Sequence, residues 1–199
     1  MNTRKVGVAM ALVGGLGLNG AAHAIPITYQ ADLNGAAASP PNASPGTGFA
    51  TVVYDSLAHT LSVDVSFSGL LGNTTAAHIH CCTAAPLMGT AGVATQTPTF
   101  IGFPLGVTAG TYTGVFDLTL ASSFNPAFVT ANGGTAAGAE AALTDGLEAA
   151  RAYFNIHTSA FGGGEIRGFL QPVPEPGTIA LLGLGLAGIG AVRRKKPVA

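Results

Sequence analysis

The chain has 199 residues, of which only 9% are charged, with two cysteines and no tryptophan. Both ends are apolar and flanked by bases. The span between them, Ile25 to Gln171, holds two bases, Arg151 and Arg167, against eight acids, a formal charge of −6. An acidic span without a lysine or a basic cluster excludes attraction to nucleic acid, and its length suits one domain with its own core.

Arg4 and Lys5 precede an apolar run from Val6 to Leu18, and Ala22-His23-Ala24 follows. A positive start, a short apolar stretch and small residues at −3 and −1 predict a signal peptide over residues 1–24, cut after Ala24 by signal peptidase. The run has 13 residues, short of the roughly 20 that span a bilayer.

From Ile25 the pattern has period two. Leu61-Ser62-Val63-Asp64-Val65-Ser66-Phe67 alternates apolar and polar without a break, which predicts a strand with one buried face. Phe49 to Tyr54 forms a hairpin with it through Asp55 to His59. Further strands are expected over Ile27 to Leu33, Ala76 to Cys81, Tyr112 to Leu118, Ala152 to His157 and Ile166 to Leu170. Ala36 to Gly48 reads as a loop, and Asn125 to Ala150 as one short and one longer helix, the latter starting at Thr135 or Gly138. The expected fold of residues 25–171 is therefore all-β: a sandwich or barrel of about seven or eight antiparallel strands with a short helical insertion.

His78 and His80 flank Ile79, so on a strand both imidazoles share one face while Ile79 enters the core. Tyr153-Phe154-Asn155-Ile156-His157 repeats the arrangement: Phe154 and Ile156 inward, Tyr153, Asn155 and His157 outward. Were these strands neighbours, three imidazoles would converge on one outer surface. Such a set suits Cu or Zn with a position left open, and Glu165 and Arg167 stand nearby in sequence as supporting partners. A pair of histidines on a solvated sheet face is otherwise plain polar surface. Cys81 and Cys82 are adjacent, and neighbouring trans Cα atoms lie closer than a disulfide usually allows. A vicinal bridge, a cross-link to another chain and soft ligation beside His80 all stay open; alternation points Cys81 inward and Cys82 outward, to the histidine side.

The tail, residues 172–199, holds Pro174-Glu175-Pro176, then fifteen mostly apolar residues from Thr178 to Val192, then Arg193, Arg194, Lys195 and Lys196. As a helix this stretch would be about 22 Å long, short of the roughly 30 Å hydrocarbon core. Snorkelling bases retained on the cytoplasmic side extend it. A hydrophobic helix anchoring the precursor in the inner membrane, with the domain outside, is the physical expectation. Gly183, Gly185 and Gly188 spell a dinucleotide fingerprint, but neither a preceding strand nor a later acidic partner supports it.

Pro174-Glu175-Pro176, a glycine-rich apolar stretch and a basic end together resemble a PEP-CTERM sorting signal. That resemblance implies recognition by a membrane-embedded exosortase and delivery to the cell surface or an extracellular matrix. Gly48 to Leu170 resembles a CHRD domain in three blocks: the strand pair ending in Ser68-Gly69-Leu70; Ala76-Ala77-His78-Ile79-His80; and Tyr153 to Ser159 followed by Gly164-Glu165-Ile166-Arg167-Gly168. It implies an immunoglobulin-like β-barrel distantly similar to copper/zinc superoxide dismutases, with only His78 and His80 answering to their His-x-His strand and no assigned catalysis. The preferred reading is a non-enzymatic envelope or matrix protein that binds an exopolysaccharide or an envelope protein. The alternative is a Cu- or Zn-binding periplasmic protein using His78, His80 and His157.

Overall fold

Alternation along one central hairpin sets the architecture. A computed structural model of the chain describes residues 26–174 and 184–186. The signal peptide with Ala22 and Ala24, the sorting-motif residues Glu175, Pro176, Arg193 and Arg194, and most of both expected targeting helices lie outside the described residues. Among the described residues, no helix is long and apolar enough to cross a membrane.

The strands are β1 (Ile27–Asn34), β2 (Thr47–Asp55), β3 (Thr60–Ser68), β4 (Thr74–His80), β5 (Gly110–Asp117), β6 (Tyr153–Thr158), β7 (Ile166–Phe169) and β8 (Gln171–Pro172). They form one antiparallel sheet in the order β4-β6-β7-β1-β2-β3-β5, with β8 added beside β1. The expected all-β fold with seven or eight strands is present, as a single curled, barrel-like sheet. Its inner face is the apolar set of the alternating strands: Leu61, Val63, Val65 and Phe67 from β3, Ala50 and Val52 from β2, Tyr29, Ala31 and Leu33 from β1, all buried. Val52 opposite Val63 and Ala50 opposite Val65 place β-branched and small side chains across from each other, the cross-strand contacts that fix register.

The edge strand β4 does not face water. The segment after it runs alongside: Ala94 N–H donates to Ile79 O at 2.9 Å, Phe100 N–H to Ala77 O at 3.2 Å, and Thr74 N–H to Val107 O at 2.8 Å. A long irregular connection therefore caps a sheet edge that would otherwise offer unpaired backbone groups. It also forms a roof over the outer face of β4.

Two helices fill the connection before β6, as expected. Helix α1 (Pro126–Ala131) has Asn125 as its N-cap and proline in its first turn; α2 (Ala136–Glu148) is capped by the Thr135 hydroxyl, which accepts from Gly138 N–H. Both caps satisfy donors a helix start leaves unpaired. Ala139, Leu143 and Leu147 of α2 are fully buried in the core. Tyr54 O–H and His59 Nδ1–H both donate to Glu140 at 2.9 Å, tying α2 to the β2–β3 hairpin.

Cys81 and Cys82 form a vicinal disulfide, which removes the cross-link and soft-ligand alternatives. Cys82 does not point to the histidine side. The strand pattern stops at His80, Cys81 N–H is bound by Gly92 O, and the chain turns toward α2, where Cys82 Sγ lies 3.3 Å from Ala142 O. The bridge rests in the notch left by Gly146: a Cβ there would stand 2.2 Å from Cys81 Sγ and 2.5 Å from Cys82 Sγ. Gly146→Ala should gain about 1 kcal/mol of helix propensity yet lose more to overlap, for a net destabilisation of about 1–3 kcal/mol. Urea unfolding of the oxidised protein measures this, and a variant as stable as its parent would contradict the packing.

Candidate metal centre

Strands β4 and β6 are hydrogen-bonded neighbours in the register His80 opposite Tyr153, His78 opposite Asn155 and Ala76 opposite His157. His78 and His157 are thus diagonal neighbours on the same face, within reach of long side chains. Ring centroids are 5.2 Å apart for His78–His157, 5.6 Å for His80–His157 and 5.8 Å for His78–His80. One ring nitrogen from each residue can be chosen so that all lie within 4.8 Å of one another.

The face is not the open surface that alternation alone suggests. His78 and His80 are 6% and 8% exposed, and Asn155 only 2%; His157 is half-buried. The roof after β4 covers them, and its carbonyls orient the rings. His78 Nε2 lies 2.7 Å from Pro98 O, and His80 Nδ1 lies 3.0 Å from Ala91 O. His157 Nδ1 lies 2.8 Å from Gly162 O, in the β6–β7 connection. A carbonyl only accepts, so each of these nitrogens carries its proton, and the opposite nitrogen of each neutral ring carries a lone pair. The lone pairs on His78 Nδ1 and His80 Nε2 are buried and meet no protein donor. That on His157 Nε2 faces the Asn155 amide, whose Nδ2 is 3.2 Å away.

Burial pushes the His78 and His80 imidazoles down to about 4, against the pull of their carbonyl partners and with the neighbouring rings adding to the depression. Both are neutral at physiological pH, the state a metal ligand requires. Three imidazoles, each donating its far N–H to a carbonyl, form a donor set suited to a transition metal. Three nitrogens sharing one ion at a metal–nitrogen distance of ~2.1 Å stand about 3.4–3.6 Å from one another, so each ring would move inward by roughly 0.7 Å to close the set around an ion. The His78, His80 and His157 group can hold a metal.

Beside the rings, His80 stacks on Tyr153 at 4.8 Å with planes 7° apart, and Tyr153 O–H reaches Ala91 O at 3.2 Å. The Arg167 guanidinium lies 4.6 Å from the Tyr153 ring centre, and its Nε–H donates to Ala37 O. Sequence spacing shows Tyr153 as outward-facing but gives no sign that it carries His80. Glu165, by contrast, gives no support to the histidines. It is fully buried, accepting from Ser44 Oγ at 2.5 Å, Leu71 N–H at 2.6 Å, Thr158 Oγ1 at 2.7 Å and Gly72 N–H at 3.1 Å. These bonds stitch the β3–β4 turn to the β6–β7 connection.

A family model described as the CHRD domain matches residues 29–170, and one described as the PEP-CTERM protein-sorting motif matches residues 172–195. Comparison with curated proteins and with solved structures gives no match.

Burial raises the Glu165 carboxyl, but its hydrogen bonds outweigh that and hold it below its ordinary value of 4.5. Its contribution to stability is therefore present above about that pH and lost as pH falls through the lower folded value. Glu165→Gln should cost about 1–3 kcal/mol at neutral pH and flatten the acid limb of the stability curve. Denaturant unfolding between pH 7 and pH 3 tests this; an unchanged acid limb would assign the acid sensitivity elsewhere.

Proposed function

This chain belongs to the CHRD-domain family and ends in a PEP-CTERM sorting motif, and from that premise we propose an exported, exosortase-processed envelope protein whose β domain is a non-enzymatic metal-binding module. The ion is copper or zinc, held by His78, His80 and His157. One observation carries the reading: two buried imidazole nitrogens without a protein donor, on rings that cluster with a third so that one nitrogen from each lies within 4.8 Å of the others. Buried polar atoms in native proteins are nearly all partnered, and an ion bound between them would satisfy them. A bound ion would act there as an electron-pair acceptor; the chain's own contribution is to hold His78 and His80 neutral and to aim all three rings.

Binding rather than turnover is favoured by the neighbouring charged groups. Glu165 is committed to four hydrogen bonds, and Arg167 to Ala37 O and the Tyr153 face. Neither is free to act as acid or base on a bound molecule. Export agrees with the position of the tail: Val173 N–H is held by Thr28 O at 2.8 Å, and the exposed Pro174 that begins the sorting motif stands clear of the fold. An inner-membrane-anchored precursor, cut first by signal peptidase and then by exosortase, fits that exit.

Binding of an exopolysaccharide or an envelope protein has its own support on another face. An open groove of about 690 Å³ is lined by Asp32, Phe49, Ser66 and Thr111 among others. It pairs a 41% exposed aromatic ring with hydroxyls and a carboxylate, a combination suited to a sugar surface.

Elemental analysis of the exported chain should find roughly one equivalent of copper or zinc. His78→Ala combined with His80→Ala should lower uptake at least tenfold while far-UV circular dichroism stays unchanged. Metal content at background in the unaltered chain would end this reading and leave the groove as the functional surface.

A further inference from the structure

The chemistry that surrounds the three imidazoles bears on which ion they take. All three ligands are neutral donors, and the metal-binding group among the described residues contains no carboxylate and no thiolate. The two cysteine sulfurs beside His80 are joined to each other and turned onto α2, and Met88, further along the same connection, is largely exposed. A divalent ion would therefore bring its full charge into a covered site with nothing to offset it.

A fixed positive charge already stands beside that site. Arg167 shares the cross-strand row Asn34–Arg167–Asn155–His78, two strands from His78, or roughly 10 Å at the usual strand spacing. It is 7% exposed. Among the described residues the one carboxylate within 4 Å of a basic side chain is Glu140, beside His59, so none forms an ion pair with Arg167. Its guanidinium is held by Ala37 O and lies 4.6 Å from the Tyr153 ring centre; Tyr153 in turn stacks on His80. The guanidinium does not lose its proton in proteins, so this charge is permanent.

We propose that the unpaired Arg167, set beside a ligand group without anionic donors, makes the His78/His80/His157 centre selective for univalent copper over divalent copper and zinc. This rests on the metal-binding reading of the same site and adds the charge of the ion. Imidazole nitrogen is a good ligand for either oxidation state of copper and for zinc, so ligand type does not choose among them and the field does. At about 10 Å and an effective dielectric constant near 20, each added unit of ion charge costs on the order of tenfold in affinity.

Affinities of the full exported chain for Cu(I), Cu(II) and Zn(II) are measured by competition with chromophoric chelators of known strength, the Cu(I) titration under anaerobic conditions. The unaltered chain should bind Cu(I) most tightly. Arg167→Met should improve Zn(II) and Cu(II) affinity about tenfold relative to Cu(I), whereas Arg167→Lys, which keeps the charge, should leave the ratios as they were. A structural role alone would move all three affinities together, and that result would overturn the proposal. If Arg167→Met does not fold, the unaltered chain decides: Zn(II) held more tightly than Cu(I) overturns the selectivity and leaves metal binding intact. No uptake of any ion would overturn both.

Discussion

Three backbone carbonyls taking three imidazole protons are the constraint on which the site depends. Pro98 O, Ala91 O and Gly162 O each fix one ring, and by fixing the proton they fix the lone pair. An imidazole without such a partner exchanges its tautomers freely and rotates about its side chain. Here rotation would break a hydrogen bond in a covered place, at a cost of about 1–3 kcal/mol for the stranded group. The same carbonyls belong to loops with no regular structure, so the irregular parts of the chain aim the side chains that the regular parts supply.

The sheet contributes proximity and the roof contributes environment. Pairing of β4 with β6 puts His78 and His157 on adjacent strands of one face. The connection from Cys81 to Ala109 then closes the β4 edge and covers the rings, and burial keeps His78 and His80 neutral. The vicinal bridge at the start of that connection packs in the Gly146 notch of α2, so the helical insertion supports the roof from its far end. Two unpartnered acceptors in such a place work against folding unless something occupies the space between them. The large core of the curled sheet is what allows the domain to carry them.

Much of this was legible in the sequence. Strict alternation in Leu61–Phe67 marks β3 and its buried face, and the same rule puts His78, His80 and His157 on shared faces. Capping residues at Asn125 and Thr135 mark both helices. Strand adjacency is a different matter, because β4 and β6 are more than seventy residues apart in the chain and their pairing follows from the whole topology. The roof was hidden for a related reason: residues 81–109 have no periodicity, so nothing in them announces that they fold back over β4. Without the roof, alternation assigns His78, His80, Tyr153 and Asn155 to an outer surface, whereas they are buried. Glu165 and Cys82 depart from the alternation because they lie past the ends of β7 and β4, where the backbone turns and side-chain direction ceases to follow parity.

The decisive measurement is the tautomeric state of the three rings in the metal-free protein, read from long-range proton–nitrogen correlation spectra of ¹⁵N-histidine-labelled chain at neutral pH. The carbonyl partners require His78 to carry its proton on Nε2, and His80 and His157 to carry theirs on Nδ1, the less common form in solution. Neutral rings with that pattern place three lone pairs in one space. A protonated His78 or His80, or rings averaging between tautomers, would mean that the carbonyls do not hold them, and the metal centre would lose its basis.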